Sequence, residues 1–122
     1  MDDYKFLDLE FLKNLRNDTY STHPGLISEL FQIYFDIFHI KIHELEKSVN
    51  AENRLETLKI AHYLKGQSAC VGLSYCQEQF IRIEIMTKER KFDSASVIIK
   101  ELVAKLPKFK NETELYIKSN KG

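Results

Sequence analysis

One histidine of this 122-residue chain lies where an imidazole would be available for chemistry. His62 occupies the middle of a helical pattern that runs from about Glu52 to Val71. At about 100° per residue, Ile60 and Leu64 fall on the opposite side of that helix. We therefore expect His62 to face solvent. An exposed neutral imidazole has a free nitrogen lone pair and is a competent nucleophile at neutral pH.

The residues that share a face with His62 are typical of a phosphoryl acceptor. Lys59 and Lys65 flank it at three residues on either side, and Lys65 could neutralise a phosphate as a point cation. Gly66 should cost about 1 kcal/mol relative to alanine within a helix, and it leaves clearance for another protein. Three apolar residues on this face are candidates for docking a partner: Leu55, Leu58 and Ala69.

Each of these features also has an ordinary structural explanation. A single surface histidine usually has no function, and a glycine within a helix often only accommodates packing. A short N-terminal helix could cover Leu55 and Leu58. The coincidence of all these residues on one helix face favours the chemical interpretation.

The remaining segments predict the elements that position this face. A short amphipathic helix is expected from about Asp8 to Arg16, and a long one from Pro24 to Ser48. Gly72 should end the helix that carries His62. Ser74 and Gln77 resemble a capping box that opens the next helix, with a charged end at Lys88–Lys91.

The last helix is expected to begin at Asp93 as its N-cap. Pro107 should kink or break it, after which the chain could continue as helix at an angle. The predicted fold class is all-α: an antiparallel up-down-up-down four-helix bundle with a short N-terminal capping helix. We expect one domain over residues 1–122, with the bundle at about 24–118 and the capping helix within 1–20.

Composition excludes several classes of protein. Eighteen Lys and Arg against eighteen Asp and Glu argue against a nucleic-acid binder, which normally has a basic excess. No apolar run approaches the ~20 residues of a membrane span, and the acidic N-terminus lacks a signal-peptide pattern. Two cysteines, Cys70 and Cys76, do not make a disulfide framework. These features predict a cytoplasmic protein.

The segment Ala61–Leu73, AHYLKGQSACVGL, resembles the histidine-containing phosphotransfer (HPt) domain of two-component phosphorelays. The residues that match the family pattern are His62, Lys65, Gly66, Ser68 and Gly72. Cys76, Phe80 and the Ile83–Glu84 pair look like the family's next helix, and the likeness extends over about Pro24–Leu106. Gln67 departs mildly from the pattern, and Lys88 could match a basic position in the fourth helix.

The resemblance implies a relay in which His62 accepts a phosphoryl group from a receiver-domain aspartate or a kinase and passes it on. Lys65 would help to hold the phosphate, and Gly66 would allow docking. Gln67 and Ser68 would support the site. Leu55, Leu58, Lys59 and Ala69 would meet the receiver domain of a response regulator or of a hybrid sensor histidine kinase. No cofactor is expected on this chain, since Mg²⁺ would be bound by the receiver, and the protein should be a monomer.

Two other interpretations stay open. A bundle of the same shape could be a non-catalytic adaptor that only binds receivers or kinases, although an adaptor has no need of the imidazole at position 62. His39 and His43 are spaced to grip a metal from one helix, but only a partial ligand set accompanies them. A solvated polar face is the simpler explanation for that pair, and no metal site is predicted.

Overall fold

Five helices make up the architecture of the computed structural model, which describes residues 4–18 and 25–120. They are α1 Leu9–Asp18, α2 Leu26–Asn50, α3 Arg54–Cys70, α4 Ser74–Lys88 and α5 Phe92–Ser119. No strand occurs in these two stretches. Each of the four long helices packs on two others: α2 on α3, α3 on α4, α4 on α5 and α5 on α2. The protein is therefore a helical bundle. Pro24 lies outside the described residues.

The core is built from the apolar stripes that each helix turns inward. The predicted buried face of α3 is confirmed, since Ile60, Ala61 and Leu64 are all buried. Phe38 and Leu45 of α2 and Phe80 of α4 are fully buried beside them. These side chains fix the rotation of α3 about its axis and so decide which residues it presents to solvent.

The three tight connections of the bundle share one mechanism. After α3, Val71 is the C-cap and Gly72 adopts a left-handed φ of 73°. The Leu73 amide donates to the Ser68 carbonyl at 3.0 Å, and the Gly72 amide donates to that of Ala69 at 3.3 Å. This is the Schellman pattern, and it confirms Gly72 as the helix stop.

The other two connections use the same pattern without glycine. Glu52 after α2 and Arg90 after α4 take φ values of 51° and 60°. A side chain at Gly72 would be harder to accommodate, because an added Cβ would lie 3.0 Å from Phe11 and 3.1 Å from Leu12. Glycine at this position therefore lets α1 lie directly against the α3–α4 turn.

The start of α4 corrects one expectation. Leu73, not Ser74, is the N-cap, and no side chain caps this helix, so the Ser74–Gln77 capping box does not form. The Schellman turn places the last non-helical residue at Leu73, which leaves Ser74 inside the first turn. Its hydroxyl lies 3.5 Å from the Phe6 carbonyl instead.

One expectation for the last helix is also wrong, and the predicted break at Pro107 does not occur. The N-cap is Lys91 rather than Asp93, because Phe92 is buried and already helical. The helix runs through Pro107 to Ser119 without a break. Proline removes the hydrogen bond to the carbonyl four residues earlier, that of Val103. Val103 is exposed, so water can satisfy the freed carbonyl.

The N-terminal arm, residues 4–8, is anchored by a buried glutamate of α5. Both carboxylate oxygens of Glu112 accept backbone amides: those of Lys5, Phe6 and Leu7 donate at 2.6, 2.8 and 2.8 Å. The Asp8 amide donates to the Gly72 carbonyl at 2.7 Å. The arm and α1 therefore cover the end of the bundle where α3 turns into α4.

The two cysteines differ in reactivity because they differ in burial. Cys70 is exposed, whereas burial raises the pKa of the Cys76 thiol from 9 to about 12. We expect a thiol reagent at pH 8 to modify Cys70 alone in the native protein and both cysteines in urea. Folding raises the pKa of Cys76, so the neutral thiol favours the folded state. Its contribution to the free energy of unfolding is fully present below pH 9 and is lost as the pH rises toward 12. Rapid native labelling of Cys76, located by peptide mapping, would contradict this assignment.

Candidate functional site

His62 projects from the middle of α3 into solvent. Its side chain is 73% exposed, while its helix neighbours Ala61 and Leu64 are buried. Packing on one side of α3 therefore forces the imidazole outward on the other, as the helical pattern predicts. The ring is accessible to a second protein without any rearrangement of the fold.

A carboxylate of the neighbouring helix contacts both His62 and Lys65 of α3. Glu84 of α4 places Oε1 at 2.9 Å from Lys65 Nζ and Oε2 at 3.5 Å from His62 Nδ1. The Glu84 side chain is only 13% exposed and that of Lys65 only 27%, so this ion pair lies partly under the surface. The site thus contains an imidazole and an ammonium group that both contact one carboxylate.

Clearance beside the imidazole comes from Gly66. A Cβ added at Gly66 would meet no atom within 4 Å, because the position opens directly to solvent. The glycine is therefore not required by packing inside this chain. That result removes the packing explanation for the glycine among the described residues.

The predicted docking residues extend this face in both directions along α3. Leu55 is 75% exposed and Lys59 is exposed, whereas Leu58 and Ala69 are half-buried. The short N-terminal helix α1 does not cover Leu55, because that side chain is exposed. This apolar group is therefore open to solvent.

Ser68 and Gln67 lie away from the imidazole. Ser68 is fully buried, and its hydroxyl donates to the Leu64 carbonyl at 2.8 Å and pairs with the Tyr34 hydroxyl at 2.8 Å. Gln67 is half-buried on the side of α3 opposite His62. Ser68 can support α3 against α2, but its engaged hydroxyl does not face the surface that His62 occupies.

The polar face of α2 gives no metal centre in the described ranges. His39 and His43 are exposed, and His43 Nδ1 lies 3.9 Å from the carboxylate of Glu46. No group of three or more His, Cys, Asp or Glu side chains is placed to hold a metal ion among residues 4–18 and 25–120. Lys88 is exposed at the end of α4, one turn beyond Glu84.

Glu84, to which the sequence pattern gives no role, lies in contact with both His62 and Lys65. Its partners belong to another helix, so periodicity within α4 could not identify them. The one local signal was a charged residue directly after the buried Ile83.

No helix in the described part of the chain is both long enough and apolar enough to cross a bilayer. Comparisons with protein-family models, curated proteins and solved structures found no match to this chain.

Proposed function

We propose that this chain is a histidine phosphotransfer protein of the HPt type, which relays a phosphoryl group through His62. The observation that carries the proposal is the exposed imidazole in the middle of a packed helix, with open space at Gly66 one turn away. The sequence supports the same proposal, because His62, Lys65 and Gly66 have the spacing of the HPt pattern. A cytoplasmic, monomeric protein with a receiver domain as partner is part of the same proposal.

The proposed fold in full is an antiparallel up-down-up-down bundle with α1 as a cap. Cross-helix contacts support it: Ser48 bonds Thr57 next to the α2–α3 turn, and Tyr34 bonds Ser68 about four turns away from it. Phe31 near the start of α2 packs on Tyr116 near the end of α5, with ring centroids 6.4 Å apart. Such pairings arise when neighbouring helices run in opposite directions.

The transfer step uses the nitrogen of His62 that Glu84 does not contact. The Nε2 lone pair attacks the phosphorus of an aspartyl phosphate on the receiver, and an N–P bond forms as the P–O bond to aspartate breaks. The aspartate leaves as a carboxylate, and Nδ1 keeps its proton, facing Glu84 Oε2 at 3.5 Å. The reverse sequence returns the phosphoryl group to another receiver.

The rest of the site supplies charge and access rather than a second catalyst. The ammonium group of Lys65 lies one turn along from His62 and can approach the transferred phosphate as a point cation. We assign Mg²⁺ to the receiver, whose acidic residues would bind it beside the aspartate. Leu55, Leu58, Lys59 and Ala69 form the proposed docking face around the imidazole.

Substitution of Gly66 should separate docking from folding. We expect Gly66→Ala to raise the free energy of unfolding by about 1 kcal/mol, because the added methyl group meets open space and alanine is the better helix former. Gly66→Phe should fold as well, yet weaken receiver binding at least tenfold by filling the clearance. Circular dichroism melts and titration calorimetry measure the two effects, and normal receiver binding by Gly66→Phe would contradict the docking role.

The proposal is tested by incubation with a panel of receiver domains from the source organism, each phosphorylated with labelled phosphate in the presence of Mg²⁺. We expect acid-labile, base-stable label to appear on this chain, as phosphohistidine requires. Binding to a receiver without transfer of label would instead favour the adaptor function. The proposal would be overturned if the chain neither bound to nor took label from any receiver or histidine kinase.

A further inference from the structure

We propose that Glu84 destabilises the phosphorylated form of His62, so that the chain donates its phosphoryl group readily rather than storing it. This inference rests on the proposed function and concerns the direction of phosphoryl flow at the same site. It assigns Glu84 as a tuning residue that acts through its charge. The observation behind it is that one carboxylate contacts both His62 and Lys65, the two residues that the phosphoryl group needs.

The first effect is repulsion between like charges. A phosphoryl group on Nε2 carries close to two negative charges, and the Glu84 carboxylate already lies 3.5 Å from the other ring nitrogen. The carboxylate is mostly covered by the neighbouring helices, so water screens it less than it would a fully exposed charge. Phosphorylation of His62 therefore brings a dianion toward a fixed anion, and the positive charge that the Nδ1-protonated ring then carries offsets this repulsion in part.

The second effect is competition for the lysine. Lys65 Nζ holds Glu84 Oε1 at 2.9 Å, so it must loosen this contact to neutralise the phosphoryl oxygens. The cation that would stabilise phosphohistidine is thus already committed to a carboxylate. Its net contribution to the phosphorylated state is reduced by the strength of the contact it loosens.

The third effect is on the departing imidazole. When the N–P bond breaks, the imidazole leaves more easily if Nδ1 bears a proton, since the ring then departs neutral rather than as an anion. A carboxylate at Nδ1 favours that proton by charge. The proton at Nδ1 speeds the loss of the phosphoryl group, while the repulsion and the competition for the lysine make phospho-His62 less stable.

The experiment needs no natural partner, because potassium phosphoramidate can serve as the phosphoryl donor. The His62 nitrogen attacks phosphorus, and the donor's nitrogen leaves as ammonia. The phosphoprotein is then equilibrated with free imidazole, which exchanges one N–P bond for another, and the ratio is read by ³¹P NMR. We expect Glu84→Gln to shift this equilibrium toward the phosphoprotein by about three- to tenfold, the scale of one partly hydrated charge across a few ångströms. Hydrolysis of the phosphoprotein should slow in the same variant.

Three further variants identify the cause. Glu84→Asp keeps the charge and should stay near the wild-type equilibrium, and Lys65→Ala should shift it in the opposite direction to Glu84→Gln. Glu46→Gln removes the same charge beside a different exposed histidine, His43, and should change nothing. A role of Glu84 in fastening α3 to α4 alone would lower the melting temperature without moving the equilibrium.

The outcomes separate this inference from the function on which it rests. If phosphoramidate modifies free imidazole but never His62, the proposed function fails and the inference fails with it. If His62 is phosphorylated and Glu84→Gln leaves the equilibrium within twofold of wild type, only the role of Glu84 is overturned. An unchanged equilibrium in Lys65→Ala would overturn the competition for the lysine.

Discussion

Replacing His62 with glutamine is expected to abolish phosphoryl transfer while leaving the fold intact. Glutamine keeps polar atoms near the same position but has no nucleophilic nitrogen, because its amide lone pair is delocalised. The wild-type side chain is 73% exposed, so the free energy of unfolding should change by no more than about 0.5 kcal/mol. Labelling by phosphorylated receivers, with a thermal melt of the same sample, measures both results.

Two matched variants control for the loss of a surface histidine. His39→Gln and His43→Gln remove exposed histidines from the polar face of α2, and both should label as the wild type does. Label retained on His62→Gln would mean that another residue accepts the phosphoryl group. In that case the assignment of α3 as the transfer site would be wrong.

Replacing Glu112 with glutamine is expected to lower the free energy of unfolding by about 2–4 kcal/mol, the range for a broken buried network. Its carboxylate accepts three backbone amides of the N-terminal arm, at 2.6–2.8 Å. A glutamine presents one oxygen and one NH₂ group, and that NH₂ group would face amide donors. Urea denaturation followed by circular dichroism measures the loss.

Glu114→Gln is the control for this substitution. Glu114 lies two residues further along the same helix and is exposed, so removing its charge should change stability by less than about 0.5 kcal/mol. Equal stability of the Glu112→Gln and Glu114→Gln variants would show that the arm is not held by the buried carboxylate. Transfer through His62 should survive in both variants, since neither residue contacts the site.

The sequence predicted the helices of the bundle well because their signals are local. Periodicity alone identified the buried face of α3, and therefore the outward direction of His62. Gly72 was recognised as a helix stop from its type and position. The errors at Ser74 and Asp93 were shifts of one or two residues, caused by turns whose backbone hydrogen bonds move the cap upstream.

The remaining features depend on contacts between distant parts of the chain. Glu84 belongs to the site only because α4 packs against α3, and Glu112 is buried only because the arm folds over α5. A signal for Glu112 did exist, since it lies on one face with Phe109 and Tyr116 at helical spacing, and both are buried. The continuation of α5 through Pro107 also depends on its surroundings, since Val103, whose carbonyl loses its helical partner, is an exposed residue.

The anchoring of the arm has a consequence for the order of folding. Helices α2 to α5 are joined by connections of three residues, so the α2–α3, α3–α4 and α4–α5 pairings close short loops and can form as soon as adjacent helices exist. The amides that reach Glu112 lie 105–107 positions away from it in the chain. During synthesis, the arm therefore has no partner until α5 has been made as far as Glu112. The N-terminal arm is thus synthesised before the helices of the bundle but reaches its native position after they have paired.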